Sequence, residues 1–194
     1  MMLLRGVDPV SHYFWRLHEP DAAVYAETER PSPEERAAAG DPVEGHYRYV
    51  DGLLGELGVA ARPDRVVMIV SDHGFEAGRQ PFRGQRNLSG THAGEAAIDG
   101  ILVAAGGPVR AGIRLDGASI LDVAPTVLHL LGLPVAEDIE GRVLAEAFDP
   151  VWMASHSIAR VATYGGVGST LSAPSGAPGE DRLRRELRAL GYVQ

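Results

Sequence analysis

The chain has 194 residues, of which 45% are hydrophobic and 23% are charged, and its net charge is −8. These values are typical of one soluble globular domain with a sizeable core. The acidic balance argues against binding of nucleic-acid polymers through phosphate neutralisation. The absence of cysteine excludes disulfides and thiolate ligands, so any metal must bind to His and carboxylate side chains.

No apolar run approaches the roughly 20 residues that a membrane-spanning helix needs. The apolar part of the opening segment, "MMLLRGVD", is too short for a signal peptide. The sequence therefore predicts a chain that neither spans a membrane nor is exported. It leaves the localisation unknown, with the cytoplasm as the default expectation.

The first third of the chain predicts one short strand followed by helices. Residues 3–7 are typical of a strand that ends at Asp8, with Pro9 as a turn residue. A helical turn is expected at Pro33–Ala39. Residues 43–57 predict a longer helix because apolar residues recur there at steps of three and four. Its predicted buried side consists of Val43, Tyr47, Val50, Leu54 and Leu57.

The middle of the chain predicts two apolar strands and another helix. Residues 65–70 and 99–107 favour strands, and the polar, Gly-rich stretch 74–97 between them is expected to be a long loop. Residues 119–133 predict a helix with Ser119 as its N-cap. The expected buried side of this helix consists of Ile120, Val123, Val127, Leu130 and Leu131.

Alternating strands and helices indicate a layered α/β fold. The strand at 65–70 is apolar at almost every position, which is typical of a parallel sheet covered by helices on both faces. Three segments are expected along the chain. Residues 1–160 form the body, residues 161–179 form a flexible linker by composition, and residues 180–194 form an amphipathic helix.

Residues able to bind a metal occur in three short motifs. "VDPVSH" carries Asp8 and His12, "SDHG" carries Asp72 and His73, and "GTHAG" carries His92. Neutral imidazole and carboxylate are the ligands that zinc takes when thiolate is absent. Sites in open α/β sheets form beyond the carboxyl ends of the strands, so the motifs can converge. Taken singly, each motif is a weak signal, with "SDHG" the strongest, and each also fits a turn Asp or an exposed His in a loop or on a helix surface.

Four segments together resemble the alkaline phosphatase superfamily, and its type I phosphodiesterase/nucleotide pyrophosphatase branch in particular. They are "VDPVSH", "VVMIVSDHGF", "GTHAGEAAIDGILVAAGG" and "SILDVAPTVLHLLGLP", in the family's order, and they span most of residues 3–145. The resemblance implies the C-terminal part of a three-layer sandwich with a mostly parallel sheet and helices on both faces. His129 lies in a structural segment of this family and is expected to be a packing or surface residue.

The resemblance also implies a site for two divalent metal ions, expected to be zinc. By match to the family's motifs, Asp8, His12 and His92 would bind one ion, and Asp72 and His73 would bind the other. Two ions at this spacing can clamp the attacking and leaving oxygens of a displacement at phosphorus.

The resemblance places a further metal-binding Asp and a Thr or Ser nucleophile upstream of the segment "LRGVDPVSH". Only seven residues precede Asp8, so we expect the nucleophile to lie outside this chain and the chain alone to be inactive. Ser89 and Thr91 are weak substitutes. Missing strands would leave a sheet edge and apolar faces uncovered. We therefore expect self-association, or binding of an N-terminal partner segment.

The sequence thus predicts a metal-dependent hydrolase of small phosphate esters, either phosphodiesters or nucleotide pyrophosphates. Two alternatives remain open. One is a metal-binding domain without catalysis, and the other is a related hydrolase of sulfate or phosphonate esters.

Overall fold

The computed structural model describes residues 2–58, 62–82 and 85–165. These residues form two compact units. Unit 1 contains residues 2–58 and 70–102, and unit 2 contains residues 62–69 and 103–165, within the described part of the chain. The helices are α1 (Val7–His18), α2 (Pro33–Ala39), α3 (Pro42–Glu56), α4 (Val123–Leu130) and α5 (Pro150–Ser155). The strands are β1 (Val67–Ser71), β2 (Glu76–Phe82), β3 (Gln85–Thr91), β4 (Ile101–Ala105), β5 (Val135–Ala136) and β6 (Arg160–Val161).

Helix α1 replaces the strand predicted at residues 3–7, and that prediction is wrong. The helix begins at Val7, so Pro9 occupies its first turn, where a missing backbone N–H costs little. Asp8 also lies in this turn, where a carboxylate interacts favourably with the helix dipole. Asp8 and His12 consequently lie four residues apart on one side of a helix, as neighbours along its surface.

Helices α2 and α3 confirm the two helical predictions for this region. Each begins with a capping side chain followed by proline: Ser32 Oγ accepts from Glu35 N, and an oxygen of Asp41 accepts from Glu44 N. The expected buried side of α3 is confirmed only in part, because Val43 is buried whereas Tyr47 is exposed.

A β-hairpin occupies most of the stretch 74–97, which was predicted to be a loop. Strands β2 and β3 pair antiparallel, with Glu76 opposite Thr91 and Ala77 opposite Gly90. The pairing is irregular between Ala77 and Phe82. Because the strands are polar and contain glycine, they lack the apolar alternation from which a strand is predicted.

The hairpin is joined to α1 through Ser89. The backbone N–H of Arg16 donates to Ser89 Oγ at 3.2 Å, and this hydroxyl donates to the carbonyl oxygen of Tyr13 at 3.1 Å. The hydroxyl of Tyr25 donates to the carbonyl oxygen of Ser89. Burial, helped by the charge of Glu19, raises the pKa of Tyr25 to about 12, so the phenol remains a donor. These bonds fix β3 against α1.

Strands β1 and β4 confirm the two predicted apolar strands, and they pair with each other. The described strands form three two-stranded sheets, namely β1–β4, β2–β3 and β5–β6. The α/β class is therefore confirmed, while the larger three-layer sandwich remains a prediction. Burial of both strand faces is not observed, since Ile69, Val70, Ile101 and Val103 are exposed.

In unit 2 the helix predicted at 119–133 is present as a 3₁₀ turn, Ile120–Asp122, followed by α4. Ser119 caps it as predicted, with Oγ accepting from Leu121 N at 3.3 Å. The predicted buried side is wrong: Val127 and Leu131 are exposed, whereas Thr126 and His129 are buried.

The inversion of this helix has a hydrogen-bonding cause. Thr126 Oγ1 accepts from the backbone N–H of Leu144 at 3.0 Å, and Asp122 Oδ1 accepts from that of Arg142 at 2.7 Å. The polar side of the helix therefore satisfies the backbone of a neighbouring segment, and Leu144 is packed there almost completely buried. Hydrophobic periodicity alone does not reveal such a side.

Residues 166–194, with the predicted terminal helix and most of the predicted linker, lie outside the described residues. Val161, at the start of that linker, pairs with Ala136 in the parallel sheet β5–β6. None of the helices in the described part of the chain has the length and apolarity needed to cross a membrane.

Candidate metal site

The five predicted ligands all belong to unit 1 and come from three element ends. Asp8 and His12 lie on α1, Asp72 and His73 follow β1, and His92 follows β3. The attachment of β3 to α1 brings His92 to His12, with the ring centroids 5.1 Å apart and the planes at 71°.

Among the described residues, Asp8, His73 and His92 form a group whose candidate ligand atoms all lie within 4.8 Å of one another. The His73 and His92 rings are 4.2 Å apart by centroid, tilted at 30°. His73 Nε2 lies 4.0 Å from Asp8 Oδ1. Asp8 therefore lies beside two histidines that come 65 and 84 positions later in the sequence.

His12 adjoins the same group. Its Nε2 lies 3.5 Å from Asp8 Oδ1, and its side chain is 1% exposed. Its Nδ1 lies 2.9 Å from the carbonyl oxygen of Gly90. A carbonyl can only accept, so Nδ1 carries the hydrogen, and in the neutral ring Nε2 carries the lone pair that faces Asp8.

Asp72 is at the edge of the cluster. Its Oδ1 lies 3.7 Å from His73 Nε2, but its side chain is 67% exposed. The structure thus brings Asp8, His12, His73 and His92 together and leaves Asp72 facing solvent beside them. This exposed carboxylate marks the side from which a ligand from solution can approach.

Within the part of the chain that the structure describes, Asp8 Oδ1 and His12 Nε2 are buried and have no hydrogen-bond partner. They face each other as acceptor and acceptor, which is unfavourable in a buried place. A cation between them would satisfy both. In a tetrahedral zinc site with bonds of about 2.0–2.1 Å the ligand atoms are about 3.3 Å apart, close to the observed Oδ1–Nε2 separation. The residues present therefore fit a divalent metal ion.

Backbone acceptors orient two of the imidazoles. His73 Nδ1 lies 2.9 Å from the carbonyl oxygen of Gly74, as His12 Nδ1 does from that of Gly90. Metal-binding histidines in general donate their second ring N–H in this manner, which fixes the tautomer and directs the other nitrogen to the metal.

The chain passes very close to itself behind the Asp72–His73 pair. Gly74 N donates to the carbonyl oxygen of Ala97 at 2.8 Å. A Cβ at Gly100 would collide with the carbonyl oxygen of Ser71 and would lie 3.0 Å from the carbonyl carbon of Asp72. Only glycine allows this approach, which holds the turn after β1 in place.

The hydroxyls near the cluster are engaged with the backbone. Ser71 Oγ donates to the carbonyl oxygen of His73 at 2.5 Å. Ser89 Oγ both accepts from Arg16 N and donates to Tyr13 O. Thr91 Oγ1 accepts from Ala93 N at 3.0 Å. Ser89 is thus a structural link between α1 and β3, which argues against its use as a nucleophile.

His129, which the sequence predicts to be a packing or surface residue, is buried in unit 2. Its ring contacts Trp152 edge-on at a centroid distance of 5.5 Å, and Phe148 lies at 6.3 Å. Burial, together with the charge of His156, lowers the pKa of His129. Its ring contacts are aromatic, and it belongs to no metal-ligand group found among the described residues, so we interpret it as a packing residue.

Fold and cluster together define an α/β protein with a carboxylate–imidazole site suited to a divalent metal. A segment of 100 residues is 39% identical to a 2,3-bisphosphoglycerate-independent phosphoglycerate mutase of Cereibacter sphaeroides. This segment is 50% of the present chain and 18% of that protein, so the similarity spans less than a fifth of the relative's length. No protein-family model and no solved structure matches the chain.

Phosphoglycerate mutases of this kind belong to the alkaline phosphatase superfamily, whose motifs the sequence resembles. The similarity supports a general phosphoryl-transfer or hydrolase-like role. It does not extend to the nucleotide pyrophosphatase branch, which remains part of the proposal below.

Proposed function

We propose that the chain forms the metal-binding part of a phosphoryl-transfer enzyme that acts on small phosphate esters. The observation that carries the proposal is the convergence of Asp8, His73 and His92, whose ligand atoms lie within 4.8 Å of one another. The facing, unpartnered atoms of Asp8 and His12 support it further. The segment similar to a phosphoglycerate mutase supports chemistry at phosphorus.

The five ligands divide between two ions in this proposal. Asp8, His12 and His92 hold one ion, and Asp72 and His73 hold the other, with zinc as the expected metal. Bound divalent ions supply Lewis-acid stabilisation of the charge that develops on phosphoryl oxygens.

The protein's own side chains supply position and charge. Gly90 O and Gly74 O hold the rings of His12 and His73 by hydrogen bonds, so their Nε2 atoms both point to Asp8 Oδ1. The exposed carboxylate of Asp72 lies on the solvent side, where a phosphate ester enters. Phe75 packs beside the site, with its ring centroid 4.8 Å from that of His12.

The substrate class in the proposal is a phosphodiester or nucleotide pyrophosphate. The similarity to a phosphoglycerate mutase favours a second candidate, transfer of the phosphoryl group of a monoester. Non-catalytic metal binding is a third candidate, and the engagement of Ser71 and Ser89 with the backbone favours it.

Metal binding and turnover are tested in succession on the full chain. Titration with Co²⁺ should produce the visible absorption of a site with nitrogen and oxygen ligands, and Zn²⁺ should displace it. The metal-loaded chain is then offered chromogenic phosphate monoester, phosphodiester and sulfate ester substrates. We expect the loaded chain to bind inorganic phosphate, and to lose it with chelator, without turnover of an ester, because Ser71 and Ser89 are engaged with the backbone.

Two outcomes separate the candidates. If the chain binds metal but the loaded chain neither turns over any ester nor binds inorganic phosphate, the result supports non-catalytic metal binding. Faster cleavage of the sulfate ester than of both phosphate esters would contradict the proposed chemistry. Asp51→Asn, a change of an exposed acid on α3, is the control for nonspecific effects of charge.

A further inference from the structure

We infer that Phe75 and Gly90 are positioning residues for His12, and that together they set the direction of its Nε2 toward the metal. The inference rests on the proposed function, because it concerns a ligand of that site. Neither residue can bind a metal through its side chain. Their role is to hold the one ligand that is almost completely buried.

Gly90 acts through its backbone. Its carbonyl oxygen accepts from His12 Nδ1 at 2.9 Å, and its place opposite Ala77 in the hairpin fixes where that oxygen lies. The bond sets the tautomer of the ring. It restrains the position of Nδ1 but leaves rotation of the ring about this bond less restricted.

Phe75 restrains that rotation. Its ring meets the His12 ring edge-on, with centroids 4.8 Å apart and planes at 78°. The Phe75 ring centroid also lies 5.0 Å from that of Trp15, one helical turn after His12. The phenyl ring thus contacts both α1 side chains, and we expect it to limit rotation of the imidazole. Edge-to-face pairs of this kind also contribute a favourable interaction of their own.

The glycine at position 90 is required by the same packing. A Cβ there would meet the ring of Phe75 and would lie 2.6 Å from the carbonyl oxygen of Ser11 and 2.8 Å from Trp15 Cβ. A side chain at 90 would thus push β3 away from α1 and displace the phenyl ring. Both parts of the restraint on His12 depend on this absence of a side chain.

The test compares Phe75→Ala, Phe75→Leu and Gly90→Ala in the full chain with Phe14→Ala as the matched control. Phe14 is an exposed aromatic residue of α1, and its ring lies 6.4 Å from that of Tyr13. We expect Phe75→Ala to weaken Co²⁺ binding about tenfold and to shift the cobalt absorption bands, since changes around metal-bound histidines typically cost 10–100-fold in affinity. Phe75→Leu should restore part of the affinity, and Phe14→Ala should change neither readout.

Thermal unfolding of the metal-free chains distinguishes positioning from folding. Should Phe75→Ala lower the unfolding temperature while its cobalt affinity and spectrum stay those of the unchanged chain, the positioning role is overturned and the proposed function stands. Gly90→Ala must show the same spectral shift as Phe75→Ala, and a normal spectrum in a folded Gly90→Ala chain equally overturns the inference. If the unchanged chain binds no Co²⁺ at all, the proposed function fails and this inference fails with it.

Discussion

His12 in unit 1 and His129 in unit 2 are both buried imidazoles on helices, and neither Nε2 atom has a hydrogen-bond partner among residues 2–58, 62–82 and 85–165. Their surroundings differ. His12 faces the carboxylate of Asp8 and the ring of His92, whereas His129 faces Trp152 and Phe148. An unsatisfied imidazole nitrogen therefore indicates a metal site only where other ligand atoms converge on it.

The neighbouring polar groups show the same contrast. In unit 2, Asp122 accepts from Ser119 N at 2.9 Å and from Arg142 N at 2.7 Å, and Thr126 holds Leu144 N. These side chains complete the hydrogen bonding of the backbone. In unit 1, Asp8 Oδ1 holds no backbone group and points into the cluster. Groups engaged with the backbone are structural, and groups that face each other across a gap are candidate ligands.

The strongest test of this contrast is Asp8→Asn. We expect this change to weaken Co²⁺ and Zn²⁺ binding about a hundredfold or more, since changes to residues that only support the ligands already cost about 10–100-fold. Asn keeps the size of the side chain but removes the charge that faces His12 and His73. Calorimetric titration measures the change, with Asp51→Asn as the control. Equal affinities of the two variants would contradict the assignment of Asp8 as a ligand.

The direct comparison of the two imidazoles is the next largest effect. His12→Ala should weaken metal binding about 10–100-fold. His129→Ala should leave metal affinity unchanged and lower only the unfolding temperature, because it leaves a cavity beside Trp152. Cobalt titration and thermal unfolding of both variants are the measurements. A loss of metal affinity in His129→Ala would break the distinction between the two histidines.

A smaller effect is expected at Thr126, which represents the structural class of polar groups. Thr126→Val should lower the free energy of unfolding by about 1–3 kcal/mol, because the buried N–H of Leu144 loses its acceptor. Thr126→Ser keeps the hydroxyl and should cost less than Thr126→Val. Denaturant unfolding measures both, and Co²⁺ affinity should be the same in the two variants. The reverse order of stability would show that the methyl group, and not the hydrogen bond, matters here.

The smallest expected effect is a pH dependence from His129. Its pKa in the folded chain is lowered by burial and then by His156, so the unfolded chain binds the proton more readily. The free energy of unfolding should therefore fall as the pH drops below the ordinary histidine value of about 6.5, and the loss ends below the folded pKa.

His129→Leu should remove this contribution, and His156→Leu should reduce it because one cause of the lowered pKa is gone. Urea unfolding on both sides of the ordinary histidine pKa measures the slope for each chain. A slope that is identical in the unchanged chain and in His129→Leu would contradict the prediction.

Much of the site could be predicted from the sequence, but less of the fold around it. The motif "SDHG" comes at the end of a strand as expected, "GTHAG" comes at the end of a strand where a loop was predicted, and their histidines meet. Helix α1 was not predicted because Pro9 was interpreted as a turn residue, although proline also fits the first turn of a helix. The hairpin was missed because its strands are polar and lack apolar alternation. The buried side of α4 was missed because it is defined by hydrogen bonds to residues 142–144, which leave no periodic pattern of apolar residues in the sequence.

The contacts of Phe75 and Gly90 with His12 were also not predicted. Nothing in the letters "SDHGF" shows that Phe75 will lie beside a histidine 63 positions earlier, since the contact depends on how β3 packs on α1. The glycine at position 90 carried a weak signal, as it directly precedes the "TH" pair. Its crowded surroundings become visible only once the helix and the hairpin are placed together.

The close approach of two backbone segments at Gly100 limits which amino-acid substitutions this site can accept during evolution. Because the carbonyl group of Ser71 occupies the space that any Cβ would need, no substitution at position 100 leaves the Asp72–His73 turn undisturbed. In a combinatorial library designed to alter metal preference, we therefore expect every variant at position 100 to have a disturbed site. Substitutions are better placed at Asp72, because its side chain is 67% exposed and a different side chain there has room.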